Sequence, residues 1–314
     1  MEENSVTCLI PTFNGIDLIK SCLPSLVEAT RDNGLTIEWL VVDDGSCDHT
    51  SQWINRAYPQ VKVIRNNENL GFIRSVNHGV NKASHEIVFL LNSDISAQED
   101  FMNPALENFK DPGIFSVTFK SLFPRTLEFR EGAKGAVFKA GFIKLRHSER
   151  HQPRRQSYGI PSLYAVGGHF AVRRSMFIEL GGFDELFHPF YWEDVDLSYR
   201  AWKRGWKVVY NPACRVIHNE IGTIKSIYRE KQIRRIRYAN RLLFLWKNLD
   251  DKLFIVMQFL FFVLRILFSW LILDFEYYKY AFPVLKKTGF VITARKIRIK
   301  RGDVHSDKAI LKQF

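Results

Sequence analysis

In its first third this chain alternates short apolar runs with helical segments four times, and few folds accept that order. Val6–Ile10, Ile37–Val42 (IEWLVV), Val61–Arg65 and Ile87–Leu91 (IVFLL) read as strands. Leu18–Val27, Asp48–Tyr58, Gly71–Lys82 and Ala97–Phe109 read as helices, with Pro24 bending the first or sitting in its first turn and Asp48 capping the second. Ile87–Leu91 is apolar throughout, as expected of a strand covered on both faces. Repeated βα units imply parallel crossovers and an open α/β sheet. Ligands bind such sheets beyond the carboxyl ends of the strands. Pro11–Gly15, Asp43–Ser46 and Asn92–Asp94 each follow a strand, so they should line one crevice.

The chain has 314 residues, 46% of them apolar, enough for one large α/β domain and a smaller appendage. Four scattered cysteines without a C-x-x-C argue against a disulfide scaffold or a zinc knuckle. The opening MEENS lacks the basic and apolar regions of a secretory leader, so a cytoplasmic chain is expected. The net charge of +12 becomes informative once located. Residues 1–222 carry 25 Lys+Arg against 26 Asp+Glu, and residues 223–314 carry 20 against 7. The excess therefore belongs to a basic tail, which attracts nucleic acid or anionic lipid.

Between residues 120 and 160 periodicity is poor and Arg146, His147, Arg150, His151, Arg154 and Arg155 cluster; part of this stretch reads as a loop, mobile beside the site or merely charged and solvated. Asn92-Ser93-Asp94 suits either a turn or a carboxylate holding a metal that bridges phosphates. Asp43 is either part of an ordinary turn or an acceptor for a nucleobase imide or a ribose hydroxyl. In FHPFYWEDVDLSYRAWKRGW, Glu193, Asp194 and Asp196 open a helix running to about Lys203. Dipole-favoured first-turn acids explain them in general. A carboxylate raised by aromatic surroundings into a general base is the sharper alternative, with Tyr191 and Trp192 offering flat faces to a sugar ring. His218, after a short strand Lys207–Tyr210, is either structural or a metal ligand.

Taken in order, PTFNG, VVDDGSCD, NLGFIRSVNHG, LLNSD, GGFDE, YWEDVDLSYRAWKRGW and NPACRVIHNEIG resemble family 2 of the nucleotide-sugar-dependent glycosyltransferases, over roughly residues 5–222. The likeness is to the bacterial branch that builds surface polysaccharides, rhamnosyltransferases among them. It implies a GT-A-type α/β sandwich with a mostly parallel sheet, residues 1–96 binding the nucleotide and 97–222 the acceptor. It also implies an inverting displacement with Asp194 as general base, Trp192 and Glu193 beside the acceptor, and Asp94 and His218 on Mg²⁺ or Mn²⁺. Thr12, Asn14, Asp43, Asn69, Asn77 and Asn92 would contact the UDP- or dTDP-sugar or shape its pocket. The first position of the D-x-D-like motif is Asn92 rather than Asp, which leaves the metal one carboxylate fewer.

Residues 226–248 read as a basic helix, and Leu253–Leu273 (LFIVMQFLFFVLRILFSWLIL) is almost long enough to span a bilayer. Arg265 near its middle is costly there, and Gln258, Arg265 and Ser269 share one narrow stripe. The segment is therefore expected to lie on an anionic membrane surface or against a partner, with a core helix of a homo-oligomer as the alternative. No nucleic-acid motif accompanies the charge. The expected protein is a membrane-associated transferase on the inner face of the cell membrane, acting on a glycan or glycolipid. A polyprenyl-phosphate glycosyltransferase and a non-catalytic nucleotide-sugar-binding scaffold are the alternatives.

Overall fold

In the computed structural model, residues 4–147, 159–219, 227–300 and 302–314 are described. The strands β1 (Ser5–Thr12), β2 (Thr36–Asp43), β3 (Lys62–Arg65) and β4 (Ile87–Leu91) pair in parallel in the order β3-β2-β1-β4. Helices α1 (Ile16–Ala29), α2 (Thr50–Ala57) and α3 (Phe72–Lys82) make the crossovers. Pro24 lies inside α1. Helix α2 starts at Thr50, later than the sequence suggests, because His49 turns left-handed; Asp48 spends Oδ2 on the amide of Ile16 and Oδ1 on Thr50. In β4 the period of two is literal: Val88 and Leu90 enter one core, Ile87, Phe89 and Leu91 the other.

The sheet continues past β4. A short strand β5 (Ile95–Ser96) and helix α4 (Met102–Phe109) precede β6 (Ile114–Leu122) and β7 (Phe129–Glu131). Within the stretch of poor periodicity the chain forms a hairpin, β8 (Lys134–Lys139) and β9 (Phe142–His147). Its two-residue turn has positive φ at Ala140 (53°) and Gly141 (75°), so the usual Asn-Gly signal is missing from the sequence. Arg150, His151, Arg154 and Arg155 lie outside the described residues. After β10 (Ile160–Pro161), strand β11 (His169–Arg173) inserts antiparallel between β4 and β6. Then come α5 (Arg174–Leu180), α6 (Glu193–Lys203) and β12 (Lys207–His218), which is parallel to β6. Strand β12 does not stop at Asn211-Pro212; a register shift between Asn211 and Arg215 absorbs the irregularity and carries it on to His218. The mostly parallel sheet expected from the sequence is present, with β11 antiparallel in its centre and the short strands β5, β7 and β10 antiparallel towards one side.

Helices α7 (Glu230–Asn248), α8 (Lys252–Phe268), α9 (Phe275–Lys286), α10 (Thr288–Lys300) and α11 (Asp307–Leu311) form the tail. The tail is bonded into the sandwich. Asn240 Nδ2 donates to the carbonyls of Phe187, Phe190 and Tyr191. Asp307, fully buried, accepts from Tyr199 Oη at 2.7 Å and from the amides of Asp250 and Asp251, and pairs with Lys203 at 2.7 Å. No helix among the described residues is long and apolar enough to cross a membrane. In α8 the polar stripe faces inward: Gln258 is buried and accepts from Trp246 Nε1 at 3.0 Å, Ser269 is buried, and Arg265 donates to Ser269 and pairs with Asp274. Val256, Phe259, Leu260, Leu267 and Phe268 face outward, each more than half exposed, and Trp270–Leu273 continue that surface.

Asp196 shows which first-turn carboxylate is structural. Fully buried, it accepts from Arg200 Nε at 2.7 Å, Lys247 Nζ at 2.9 Å and Asn248 Nδ2 at 2.8 Å, tying α6 to α7. Burial pushes its carboxyl up, but Arg200, Lys247 and Asn248 outweigh that and hold it below the ordinary range. Removing one member strands buried charge. Asp196→Ala is therefore expected to cost about 3 kcal/mol in urea unfolding. An unchanged unfolding midpoint would show that the pairs contribute nothing.

Candidate active site

The site is assembled at the carboxyl ends of β1, β2 and β4, where loops meet strands returning from the other half. Thr12 ends β1; its hydroxyl is buried and makes no hydrogen bond. Asn14 accepts from Cys47 N with Oδ1 at 2.8 Å, and its own amide donates to Ser46 Oγ at 2.9 Å, so the first two loops are knitted together. Asp43 lies beneath that junction, fully buried, accepting from the amide of Ser46 at 2.8 Å and from the Ser51 hydroxyl. It supports the crevice floor, and its carboxylate is not open to a nucleobase in this conformation. Its neighbour Asp44 accepts from the amides of Leu70 (2.9 Å) and Gly71 (2.8 Å) and from Asn66 Nδ2 (2.8 Å), which fixes the third loop. Asn69 stays exposed on that loop. Asn77 corrects its expected place: both ends of its amide bond the backbone of Phe183, at 2.8 and 2.9 Å, so it clamps the segment before α6 rather than presenting its amide to a ligand.

Asn92 and Asp94 follow β4. Pairing of β5 with β12 places His218 opposite Ile95, next to Asp94, and the amide of Asn219 donates to the Asp94 carbonyl at 2.9 Å. His218 Nε2 consequently lies 3.3 Å from Asp94 Oδ2. The other oxygen of Asp94 is buried and makes no hydrogen bond. A buried, under-satisfied carboxylate beside an imidazole is a donor set that fits a divalent cation. The sequence-predicted pair is thus brought together.

Asp194 sits across Gly167-Gly168. The amide of Gly167 donates to Asp194 Oδ2 at 2.9 Å, and the Gly168 carbonyl accepts from the amide of Asn92 at 2.9 Å. Two adjacent residues therefore touch both acidic motifs. A Cβ at Gly167 would stand 3.1 Å from Asp194 Oδ2, and one at Gly168 2.6 Å from Asn92 Nδ2, so a side chain at either position would press on the acidic motif beside it. Burial pushes Asp194 up to about 6, moderated by the amides of Gly167 and Val195. Glu193, buried and with Oε2 unbonded, is raised well above its usual range by burial and then by Asp194. Asp194 has two backbone donors for its anion, so within this pair the charge rests on Asp194.

Trp192 departs from expectation. It is buried and packs on Phe244 of α7, ring centroids 5.1 Å apart, so that helix covers the face proposed for a sugar. Tyr191 is partly exposed, and Arg237 lies 4.7 Å from its ring centroid.

Sequence reasoning missed Glu131, Tyr164, His169 and the glycine pair. Tyr164 is pushed up by burial and by the charges of Asp194 and Glu131, which places it near both. Glu131 is also pushed up by burial, but the groups around it, Lys134 bonded to its Oε2 among them, outweigh that and hold it at about 2. His169 is fully buried and held down at about 3, hence neutral near pH 7. The Gly-Gly before an apolar run was a readable signal of close approach; nothing local marked Glu131.

The strand order, the D-x-D-like loop facing a histidine, and a raised carboxylate joined to that loop through Gly167-Gly168 define a nucleotide-sugar transferase type of fold. The profile of glycosyl transferase family 2 matches residues 7–181, over half of the chain, and the chain belongs to that family. It is 26% identical over 232 residues to N-acetylgalactosaminyltransferase 7 of Drosophila melanogaster, covering 68% of this chain and 39% of the relative. It is 28% identical over 219 residues to the pre-mycofactocin glycosyltransferase of Mycobacterium tuberculosis, covering 69% and 43%. To that organism's N-acetylglucosaminyl-diphospho-decaprenol L-rhamnosyltransferase it is 26% identical over 207 residues, covering 58% and 66%. The chain thus spans less than half the length of the first two relatives. Its fold is similar to GalNAc-T7, solved with UDP, GalNAc and Mn²⁺ (TM-score 0.61, 20% identity, 79% of this chain and 48% of that one). It is also similar to a Pyrobaculum calidifontis mannosyltransferase solved with GDP-Man and Mn²⁺ (TM-score 0.55, 17% identity, 93% and 86%).

Proposed function

We propose that the chain is an inverting, metal-assisted glycosyltransferase that moves a sugar from a nucleoside-diphosphate donor, UDP- or dTDP-linked, to a hydroxyl of a membrane-held glycan in bacterial surface-polysaccharide synthesis. The observation that carries this reading is the Gly167-Gly168 bridge, which joins a raised carboxylate to the loop that bears the cation-type pair. A divalent cation, Mg²⁺ or Mn²⁺, would neutralise the charge that develops on the leaving diphosphate. Asp94 and His218 would hold it, and both fold neighbours were solved with Mn²⁺. Asp194 takes the proton of the acceptor hydroxyl as that oxygen bonds to the anomeric carbon and the bond to the diphosphate breaks. The sugar is attacked from the face opposite its leaving group, so its configuration inverts. Similarity to a rhamnosyltransferase supports a lipid-linked acceptor and a deoxyhexose donor.

The reading is tested by incubating the full chain with UDP-, dTDP- and GDP-sugars plus Mg²⁺, Mn²⁺ or EDTA, with a glycolipid acceptor, and following nucleotide release. Turnover of one donor that stops with EDTA is expected. If the chain binds and turns over none, the reading fails. Because Asp194 must be ionised to act as a base and titrates at about 6, kcat/KM is expected to fall as pH drops through that value and to level off above it. A flat profile between pH 5 and 7, on the order of one titration width either side, would remove Asp194 from the role.

The tail supplies the membrane contact. Helix α8 turns its polar stripe inward and its apolar face outward, amid a segment with 20 basic and 7 acidic residues. An anionic bilayer surface offers both hydrocarbon and negative charge to such a face. Flotation with vesicles containing phosphatidylglycerol should carry the wild type, while Val256→Asp with Phe259→Asp remains in the soluble fraction. Equal flotation of both would reject this surface.

A further inference from the structure

His218 faces two ways. Its Nε2 lies 3.3 Å from Asp94 Oδ2, and its Nδ1 lies 3.8 Å from Glu131 Oε1. Behind it stands His169, whose ring meets that of His218 edge-on at 5.7 Å between centroids. His169 is fully buried, neither of its ring nitrogens makes a hydrogen bond, and Nδ1 of His218 makes none either. Buried polar atoms are ordinarily paired, so three idle nitrogens around one carboxylate are unusual. Ligand atoms of Glu131, His169 and His218 all lie within 4.8 Å of one another. Lys134 engages Oε2 of Glu131 at 2.8 Å, which leaves Oε1 facing the imidazoles. Two neutral imidazoles and one carboxylate, with a position left for water, are the donor set of open zinc sites; they suit Zn²⁺ and Co²⁺ far better than Mg²⁺ or Ca²⁺.

We propose that Glu131, His169 and His218 form a second cation site, of Zn²⁺-like preference, that competes with Asp94 for His218. The competition follows from the lone pairs of an imidazole. A neutral ring offers one nitrogen as ligand and carries hydrogen on the other. When Nε2 serves a cation beside Asp94, Nδ1–H points at Glu131. When Nδ1 joins Glu131 and His169 around a cation, Nε2–H points at Asp94. Each carboxylate is a ligand in one state and the acceptor that orients the ring in the other. Occupation of the second site therefore withdraws His218 from the first, and Zn²⁺ inhibits without touching the donor. This rests on Asp94 and His218 being the pair that holds the first cation.

The test reads metal binding, with no sugar transfer required. Full-length protein is freed of metal and titrated with Zn²⁺ by calorimetry. In parallel, bound Mn²⁺ is followed by electron paramagnetic resonance, alone and with UDP, dTDP or GDP. The partners are His169→Leu, which keeps Asp94 and His218, and Glu131→Gln, which keeps shape, each checked for folding by circular dichroism. The proposal expects each variant to weaken Zn²⁺ binding at least about tenfold, with Mn²⁺ affinity changed by less than about threefold in His169→Leu, which leaves both Asp94 and the Glu131 acceptor of His218 in place. It also expects Zn²⁺ to release Mn²⁺ from wild type but not from His169→Leu. Zn²⁺ affinity unchanged in both variants overturns the site. Equal displacement of Mn²⁺ from wild type and His169→Leu means simple exchange at Asp94 and overturns the competition, as does simultaneous binding of both ions. If no nucleotide supports Mn²⁺ binding even in wild type, the reading of Asp94 fails, while the Zn²⁺ titrations still decide the second site.

Discussion

Asp194→Asn is expected to lower kcat by about 10²–10⁴-fold, the usual worth of a positioned general base, with donor affinity nearly unchanged. The substitution keeps volume but removes the proton acceptor. Its structural side effect is bounded: each carboxylate oxygen accepts one backbone amide, from Gly167 and Val195, and asparagine offers an accepting oxygen at only one of those two positions. That mismatch costs about 1–3 kcal/mol of stability, so the variant should still be folded at assay temperature. Transfer rates within a factor of a few of wild type would show that another group takes the proton.

Asp94→Ala carries the second large effect. With its Oδ1 unbonded and its Oδ2 facing His218, the carboxylate contributes little to stability as it stands. Its loss is expected to be felt in the bound state, where a cation held by Asp94 and His218 would offset the charge of the leaving diphosphate. A drop in kcat/KM of about 10²–10³-fold is expected, equivalent to about 3–4 kcal/mol of transition-state stabilisation. The drop should come with weaker Mn²⁺ binding and an unchanged melting temperature. Full activity in EDTA with this variant would remove the metal from the reaction.

How much of this could be read beforehand divides along a physical line. Ile87–Leu91, Asp43–Ser46 and Asn92–Asp94 were legible because a buried parallel strand is a continuous apolar run and its carboxyl end is where ligands bind. The pairing of Asp94 with His218 was legible only through motif order; its cause, the β5–β12 ladder, joins residues over a hundred positions apart. Trp192 was misplaced because an aromatic residue before an acidic helix looks the same whether a sugar or α7 covers its face. The hairpin at 134–147 is not marked in the sequence, because its turn is Ala-Gly, an uncommon pair for two positive φ angles. In α8 the spacing of Gln258, Arg265 and Ser269 gave the stripe correctly, but periodicity does not say which face meets the protein. The stripe is inside, bonded to Trp246 and Asp274, and that inversion leaves the apolar face outside.

Stereochemistry tests the central claim most directly. With the donor found by the screen and its acceptor, the anomeric configuration of the product is measured by proton NMR early in the reaction. A base at Asp194 and a single displacement predict a configuration opposite to the donor's, lost together with turnover in Asp194→Asn. A product with the donor's own configuration would contradict the account, because it requires either two displacements or attack from the face of the leaving diphosphate.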